Sequence, residues 1–347
     1  MRVVTNIRCN APWKKNSLAL ATRLTLALAD GVATLPEAGR IAVLTPRAGA
    51  DLSALPKERV QVITVLKPDH DHFASLGYDC AIATEGRYGA TIFCLPRAKA
   101  RARALLAEAA AVTDGPIIVD GLKTDGIESL LRDCRRRVTV SAPHSKAHGK
   151  IFSFAAGPEF ADWAATASQP MADGFVTAPG VFSADAIDPA SRFLAESLPQ
   201  ALGAHVVDLG AGWGYLSARA LERASIARLD LVEADHAALD CARKNVTDSR
   251  AQFHWADATV WQPDARADSV IMNPPFHENR SADPDMGRAF IRAAAGMLKP
   301  SGSLWMVANR HLPYETTLAQ SFSSVIEVTG DTRFKIFHAS RPMRQGR

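Results

Sequence analysis

Apolar residues fall along this chain in short β-branched runs, separated by longer stretches in which they recur every three or four positions. In the first half the runs are 41–45, 60–66, 80–84, 91–96 and 116–121, each bounded by Gly, Pro or Asp. They are continuous rather than alternating, as strands covered on both faces are. Residues 97–112 and 125–136 carry the helical period instead. Strand–helix alternation of this kind predicts a mostly parallel sheet flanked by helices.

From about 152 to 175 the pattern loosens into turn chemistry: Gly157-Pro158, Ser168-Gln169-Pro170 and Asp173-Gly174. A domain boundary is expected there, giving domains 1–165 and 166–347. The alternation then resumes. A helix over 189–198 precedes strand 205–209, helix 215–224, strand 229–233, helix 237–245, and strands 251–256 and 269–273. Helix 285–297, strand 302–308 and strands 324–328 and 334–339 complete it. The expected fold is α/β: two tandem Rossmann-like domains, the second with a mostly parallel seven-stranded sheet and an antiparallel edge hairpin.

Composition narrows this only a little. The chain has 347 residues, 47% apolar and 22% charged, the profile of an ordinary globular protein with room for two cores. No run reaches the roughly 20 apolar residues of a membrane span. Lys14 and Lys15 sit mid-way in the first 20 residues, and Thr22, Arg23 and Thr25 interrupt the apolar stretch after them, unlike a signal peptide. Cys9, Cys80, Cys94, Cys134 and Cys241 form no C-x-x-C pair and read as reduced thiols of a cytoplasmic protein. Net charge is +4, unevenly spread: residues 1–170 hold 22 Lys+Arg against 16 Asp+Glu, and the rest 18 against 20. A polyanion would therefore be gripped mainly by the first half.

Chemistry concentrates in the second half. Val206-Val207-Asp208-Leu209-Gly210-Ala211-Gly212-Trp213-Gly214 is a buried strand ending in an acid and running into G-x-G-x-G ahead of a helix. Such glycines permit a tight turn and let a ligand approach the backbone. A nicotinamide site would read G-x-G-x-x-G. Here the third glycine comes one residue early. Asp208 suits a ligand with a cationic amino-acid part, such as S-adenosylmethionine (SAM), and Glu233, at the next strand end, suits its ribose hydroxyls.

Asn273-Pro274-Pro275-Phe276 follows the apolar strand Ser269-Val270-Ile271-Met272. Two prolines are a costly strand exit. An exocyclic amine on a heteroaromatic ring is a poor nucleophile, because its lone pair is delocalised. The Asn273 side-chain oxygen and the Pro274 carbonyl can accept from that NH2, aim the lone pair and disperse developing positive charge. Phe276 offers a stacking face worth about 1–3 kcal/mol to a single-stranded base.

Together the motifs resemble SAM-dependent methyltransferases of exocyclic or amide nitrogens. Pro179-Gly180-Val181-Phe182-Ser183 with Asp185 and Asp188, and later Asn309, Leu312, Pro313, Tyr314, Thr329-Gly330 and Arg333-Phe334-Lys335, narrow the resemblance to bacterial small-subunit (16S) ribosomal RNA guanine-N2 methyltransferases. It covers residues 175–339. It implies Asn273, Pro274, Pro275 and Phe276 as catalytic and Asp208, Gly210, Gly212, Gly214, Glu233, Asp257 and Asn273 as cofactor-binding. Phe182, Phe276, Arg333 and Lys335 would face the substrate. It also implies a degenerate N-terminal domain without cofactor, used for RNA positioning, since residues 41–45 lead into Pro46-Arg47-Ala48-Gly49-Ala50 rather than a glycine loop. Asp331-Thr332 departs from the family pattern as an insertion beside the substrate residues.

The partner implied is ribosomal RNA or the small subunit, with no membrane and no metal, and the chain is expected to act as a monomer. His70 and His72 lie in what reads as a Pro-containing loop without further ligands; His144 and His148 read as surface residues beside Pro143 and Gly149. The arginines of 97–103 and 132–137 are candidate RNA contacts or plain solvated helix faces. Rival functions are guanine-N2 methylation of large-subunit RNA, N-methylation of adenine in DNA or of a protein glutamine, and a non-catalytic RNA-binding relic. The intact set Asp208, Gly210, Gly212, Glu233, Asn273 and Phe276 speaks against the last.

Overall fold

A computed structural model describes residues 17–164, 170, 171, 173–275 and 284–343. The chain forms two units, one running to Ala164 and the other from Ala165, the second also taking in Val65–Pro68.

In the first unit, α1 (Ser17–Ala29) precedes β1 (Ile41–Leu44), β2 (Val60–Ile63), α2 (Lys67–Ser75), β3 (Asp79–Ala81), β4 (Ala90–Cys94), α3 (Lys99–Val112), β5 (Pro116–Leu122), α4 (Ile127–Arg135), β6 (His144–Lys146) and β7 (Gly149–Ala155). The sheet order is β3-β2-β1-β4-β5-β7-β6. The first five strands are parallel, and β7 and β6 join antiparallel at one edge.

The second unit follows with α5 (Pro189–Ser197), β8 (His205–Leu209), α6 (Tyr215–Ala220), β9 (Arg228–Glu233), α7 (His236–Asn245), β10 (Ala251–Trp255), β11 (Ala267–Met272), α8 (Pro284–Met297), β12 (Leu298–Asn309), α9 (Glu315–Ser321), β13 (Phe322–Gly330) and β14 (Phe334–Pro342). Its order, β10-β9-β8-β11-β12-β14-β13, repeats the first sheet strand for strand. Neighbouring strand residues belong to opposite cores: Val206, Leu231 and Ile271 pack on one face, Val207, Val232 and Val270 on the other. That two-sided burial is why the runs are continuously apolar.

Two local expectations differ from what is found. Residues 67–72 are not a loop but the start of α2. Pro68 sits in the first turn, where its missing N–H costs nothing, and His72 Nε2 accepts from the Gly49 amide at 2.9 Å. His144 and His148 do lie at the surface, in the hairpin of β6 and β7, which is turned by Ala147 (φ 47°) and His148 (φ 56°), with His144 3.5 Å from Asp30. Helix α6 stops at Ala220 rather than 224. The apolar pattern does not reveal helices α1 and α9. Cys80, Cys94, Cys134 and Cys241 are free thiols; Cys9 lies outside the described residues.

Candidate active site

Strands β8, β9 and β11 are parallel, so their carboxyl ends share one edge of the sheet. The chain leaves β8 towards β9 and β10, then returns to β11 on the other side of β8. This is the switch point at which open α/β sheets bind ligands. Asp208, Glu233 and Asn273 end or follow these three strands.

The glycine loop is shaped by backbone needs. Gly210, Gly212 and Gly214 have φ of 80°, 56° and 89°, a region L side chains avoid. A Cβ on Gly210 would meet Phe290 at 3.0 Å and one on Gly214 would meet Val246 at 3.0 Å, whereas one on Gly212 would point into open space. The amides of Gly210 and Ala211 both donate to the Val232 carbonyl, tying the loop to β9. Gly212 N donates to Glu233 Oε2 at 2.7 Å, and Asp235 N donates to Oε1 at 2.8 Å. Burial raises the Glu233 carboxyl above its ordinary range against these bonds. A carboxylate has about four acceptor positions, so room is left for a further donor.

Residues 65–68 brace the turn after Glu233. Lys67 N donates to the Ala234 carbonyl and His236 N to the Val65 carbonyl, each at 2.9 Å. Trp255 Nε1 donates to Val65 O and Ala234 O at 3.0 and 2.8 Å. Asp257 follows β10 on the same edge, its Oδ1 accepting from the Thr259 amide and hydroxyl.

Asp208 lies beneath the loop with no exposed surface, rather than lining its open side. Its Oδ2 accepts from Ser217 Oγ at 2.6 Å, while Oδ1 is buried with no partner. Burial pushes its pKa up to about 7; the Ser217 hydroxyl opposes this and the Glu233 charge adds to it.

Asn273 is held by α5. Its Nδ2 donates to Asp188 Oδ2 and to Ser191 Oγ, both at 2.9 Å. Asp188 is also the N-cap of that helix, accepting from Ser191 N at 2.8 Å. With both N–H groups engaged there, the carbonyl end of the amide has no partner among the described residues. Pro274 is buried and Pro275 exposed, while Phe276 lies outside the described residues.

Phe182 is 54% exposed on a turn with Gly180 at φ 81° and Ser183 at φ 52°, and its carbonyl accepts from Trp213 Nε1. Asn245 fastens the same region, accepting from Val176 N and donating to Val176 O and Trp213 O. Sequence reasoning missed Asn245 and the Asp188–Asn273 bond, whose partners are far apart in the chain. Arg333 is exposed and, with Asn309, Arg310, His311, Thr332 and Phe334, lines an open cleft of about 490 Å³ at the end of β12. Asp331 builds the inserted turn by accepting from the amides of Arg333 and Phe334 at 2.7 and 2.6 Å. Lys335, in contrast, is 4% exposed and ion-paired with Glu315, so its ammonium does not face an open surface.

The first unit is built differently at the matching edge. Ala48 N donates to Asp69 Oδ1 at 2.7 Å and Gly49 N to His72, so the loop after β1 satisfies its amides internally. Arg23 of α1 makes a buried two-pronged bond to Asp120 of β5, at 2.5 and 2.7 Å. Arg103 and Arg137 lie over the Trp163 ring and bond Asp133 and Asp162, so both hold their own unit together. Among the described residues no cluster of His, Cys, Asp or Glu could hold a metal, and no helix is long and apolar enough to cross a membrane.

The donors and acceptors of the second unit fit SAM. A buried acceptor without a donor lies under the loop, open space lies over Gly212, and a strand-end carboxylate has room for a further donor.

Residues 173–338 match the family model described as "Methyltransferase small domain". The chain is 29% identical over 332 residues to the ribosomal RNA small subunit methyltransferase C of Hahella chejuensis, covering 87% of this chain and 94% of that one. It is 34% identical over 169 residues to the ribosomal RNA large subunit methyltransferase G of Alcanivorax borkumensis, covering 47% of this chain and 43% of that one. The T. thermophilus 16S rRNA N2 methyltransferase, solved in complex with AdoMet and guanosine, superposes with a TM-score of 0.74 at 25% identity over 89% of this chain and 90% of that chain. The small-subunit relative and the solved structure both extend over the two units, whereas the large-subunit relative matches only about half of the chain. Residues 173–338 thus match the methyltransferase small domain, and over both units the chain is similar to small-subunit ribosomal RNA methyltransferases and shares the fold of the solved 16S rRNA N2 methyltransferase.

Proposed function

We propose that this protein transfers the methyl group of SAM to the exocyclic N2 amine of a guanosine in 16S ribosomal RNA. The observation that carries this is Asn273. Its amide nitrogen is pinned by Asp188 and Ser191, which leaves its carbonyl as an acceptor at the strand end beside the glycine loop. An amide turned that way accepts from an NH2 and favours positive charge on the nitrogen as it is alkylated.

SAM bound beside Gly212 supplies an electrophilic methyl on a sulfonium centre. Glu233 would take the ribose hydroxyls and Asp257 would face the adenine. Gly212 leaves room for the amino-acid portion, while Gly210 and Gly214 hold the turn that presents it. Asp208 acts from below, through the loop and by its charge. Asn273 Oδ1 and the Pro274 carbonyl hold the guanine amine with its lone pair towards the methyl, and Pro275 stiffens that exit. The amine's lone pair forms the new C–N bond while the S–C bond pair leaves with sulfur. The amine's surplus proton passes to water, so neither a general base nor a metal is required.

The base must leave its stack to reach Asn273. Phe182 and Phe276 would then offer stacking faces, and Arg333 would meet the neighbouring strand from its cleft. Lys335 would serve the same end by holding Glu315 rather than by touching RNA. The first domain, residues 1–165, positions RNA and binds no cofactor. A monomer in the cytoplasm, where ribosomal RNA is made and folded, completes the proposal.

Nuclease digestion and mass spectrometry of ribosomal RNA from a strain lacking this chain would show one N2-methylguanosine missing from 16S RNA. The wild-type gene restores it. Asn273→Ala does not, although the purified variant binds SAM normally. Retention of every N2-methylguanosine in that strain, or full restoration by Asn273→Ala, would overturn the assignment.

A further inference from the structure

An amide is a two-faced group: turned one way it offers C=O, the other way N–H. For Asn273 only one orientation serves an incoming NH2, and nothing in its own backbone selects it. The selection comes from the start of α5. Asp188 Oδ2 and Ser191 Oγ both lie 2.9 Å from Asn273 Nδ2. The same Asp188 oxygen accepts the Ser191 amide at 2.8 Å, which fixes the carboxylate against the helix end. An Asp carboxylate at an N-cap can only accept, so the nitrogen of Asn273 must face it.

We infer that Asp188, supported by Ser191, is a positioning residue for methyl transfer: it orients the Asn273 amide and, through it, polarises the acceptor that meets the substrate amine. This rests on the role proposed above for Asn273. The link runs Asp188 carboxylate, Asn273 N–H, Asn273 C=O, guanine N–H. Hydrogen bonds in series reinforce one another, and a carboxylate behind the amide enriches the carbonyl oxygen in front of it. As the amine nitrogen becomes positive during transfer, that oxygen stabilises it more than it stabilises the neutral ground state. The benefit therefore belongs to kcat rather than to substrate binding. Ser191 Oγ takes the second N–H, so rotation of the amide breaks two bonds.

The chain separation of Asp188 and Asn273, 85 residues, shows why the pairing is not a local capping device. An N-cap alone would need nothing from β11. Asn and Ser are also good N-caps, so Asp188→Asn and Asp188→Ser keep the helix start while removing the charge, and Ser also removes the reach to Asn273.

Steady-state kinetics on the full chain with 16S RNA, calorimetric SAM binding and thermal unfolding would be measured for Asp188→Asn, Asp188→Ser, Ser191→Ala, Asn273→Ala and the Asp188→Asn/Asn273→Ala double variant. Both Asp188 variants should melt close to wild type, with SAM affinity and RNA KM within about threefold. Their kcat should fall ~10–100-fold, the range typical when an outer partner that orients a functional group is lost. In the Asn273→Ala background the Asp188 change should cost less than about twofold more. The Asn273 side-chain NH2 signals in an ¹⁵N spectrum, assigned by their loss in Asn273→Ala, should move in Asp188→Ser. Wild-type kcat in both Asp188 variants, or an undiminished further loss in the double variant, would overturn this role while leaving Asn273 in place. A wild-type enzyme inert on guanosine N2 would overturn the function itself and this role with it.

Discussion

Replacing Asp208 with Asn tests whether a buried acid under the glycine loop serves the cofactor at the expense of the free protein. Asp208 has no exposed surface, one oxygen without a partner, and a pKa raised by burial from 3.8 to about 7. For an acid, a raised folded-state pKa means the folded protein holds its proton more tightly than the unfolded chain does. Stability is then lost as pH climbs from about 4 to about 7, and no further above that. At about 1.4 kcal/mol per pKa unit, the charge at pH 8 costs the fold about 4 kcal/mol, against about 2 kcal/mol at pH 5. An asparagine side chain does not titrate. Its own penalty, an amide N–H pair where Oδ1 now sits, is the same at every pH and is about 1–3 kcal/mol. The stability difference between variant and wild type should therefore shift in favour of Asp208→Asn by roughly 2–3 kcal/mol from pH 5 to pH 8. For a unit of this size that is about 5–10 °C in Tm. Calorimetric scans across pH 5–8 without SAM read it directly. The same carboxylate should be drawn into its ionised form by a cationic ligand above it. Wild-type SAM affinity should then rise with pH up to about 7, and the rise should vanish in Asp208→Asn. A stability difference that is flat with pH, together with unchanged SAM affinity, would refute the reasoning.

Two further perturbations follow from other parts of the site and its sheet. Gly212→Ala places a Cβ in open space at φ 56°, so the free protein should lose only the ~1–2 kcal/mol of left-handed backbone strain, while SAM affinity by titration calorimetry falls at least tenfold. Asp230 is buried in β9, where burial favours its neutral form but hydrogen bonds from His254, His205 and Arg228 win and hold it at about 2. Because that pKa is depressed, its contribution is complete above the unfolded value of 3.8 and fades as pH falls from about 4 to about 2. Asp230→Ala should cost about 1–3 kcal/mol at pH 7 in urea unfolding, since His205 and His254 lose their acceptor while Arg228 keeps Asp264.

What could be read from the sequence was local. The strand-to-loop motif around Asp208–Gly214, Glu233 at the next strand end and the polar exit at Asn273 each combine a burial pattern with a backbone requirement within a few residues. Where two requirements competed, the pattern misled. Pro68 suggested a loop, although at a first turn it starts a helix equally well. The β6–β7 turn needs positive φ at two positions, and Ala147-His148 carries none of the Asn-Gly signal by which such turns are recognised. Lys335 looked like a free cation because its partner Glu315 lies on another element, 20 residues away. Asp188 caps α5. Its second bond crosses from α5 to the end of β11, and no spacing rule within one segment could reveal it.

The two units carry this contrast within one chain. Their sheets have the same strand order, so topology alone would allow the same chemistry in both. The difference lies in how the strand ends are satisfied. In the first unit, Asp69 and His72 occupy the loop amides, and Arg23 of the leading helix fills the edge by pairing with Asp120. In the second, the leading helix offers Asp188 and Ser191 instead, groups short enough to stop at Asn273 and leave its carbonyl outward. The first unit satisfies the amides of its loop after β1 from within. The second unit keeps a buried acceptor at Asp208 without a donor and pins the nitrogen end of the Asn273 amide, and unmet demand of that kind is what a binding site consists of.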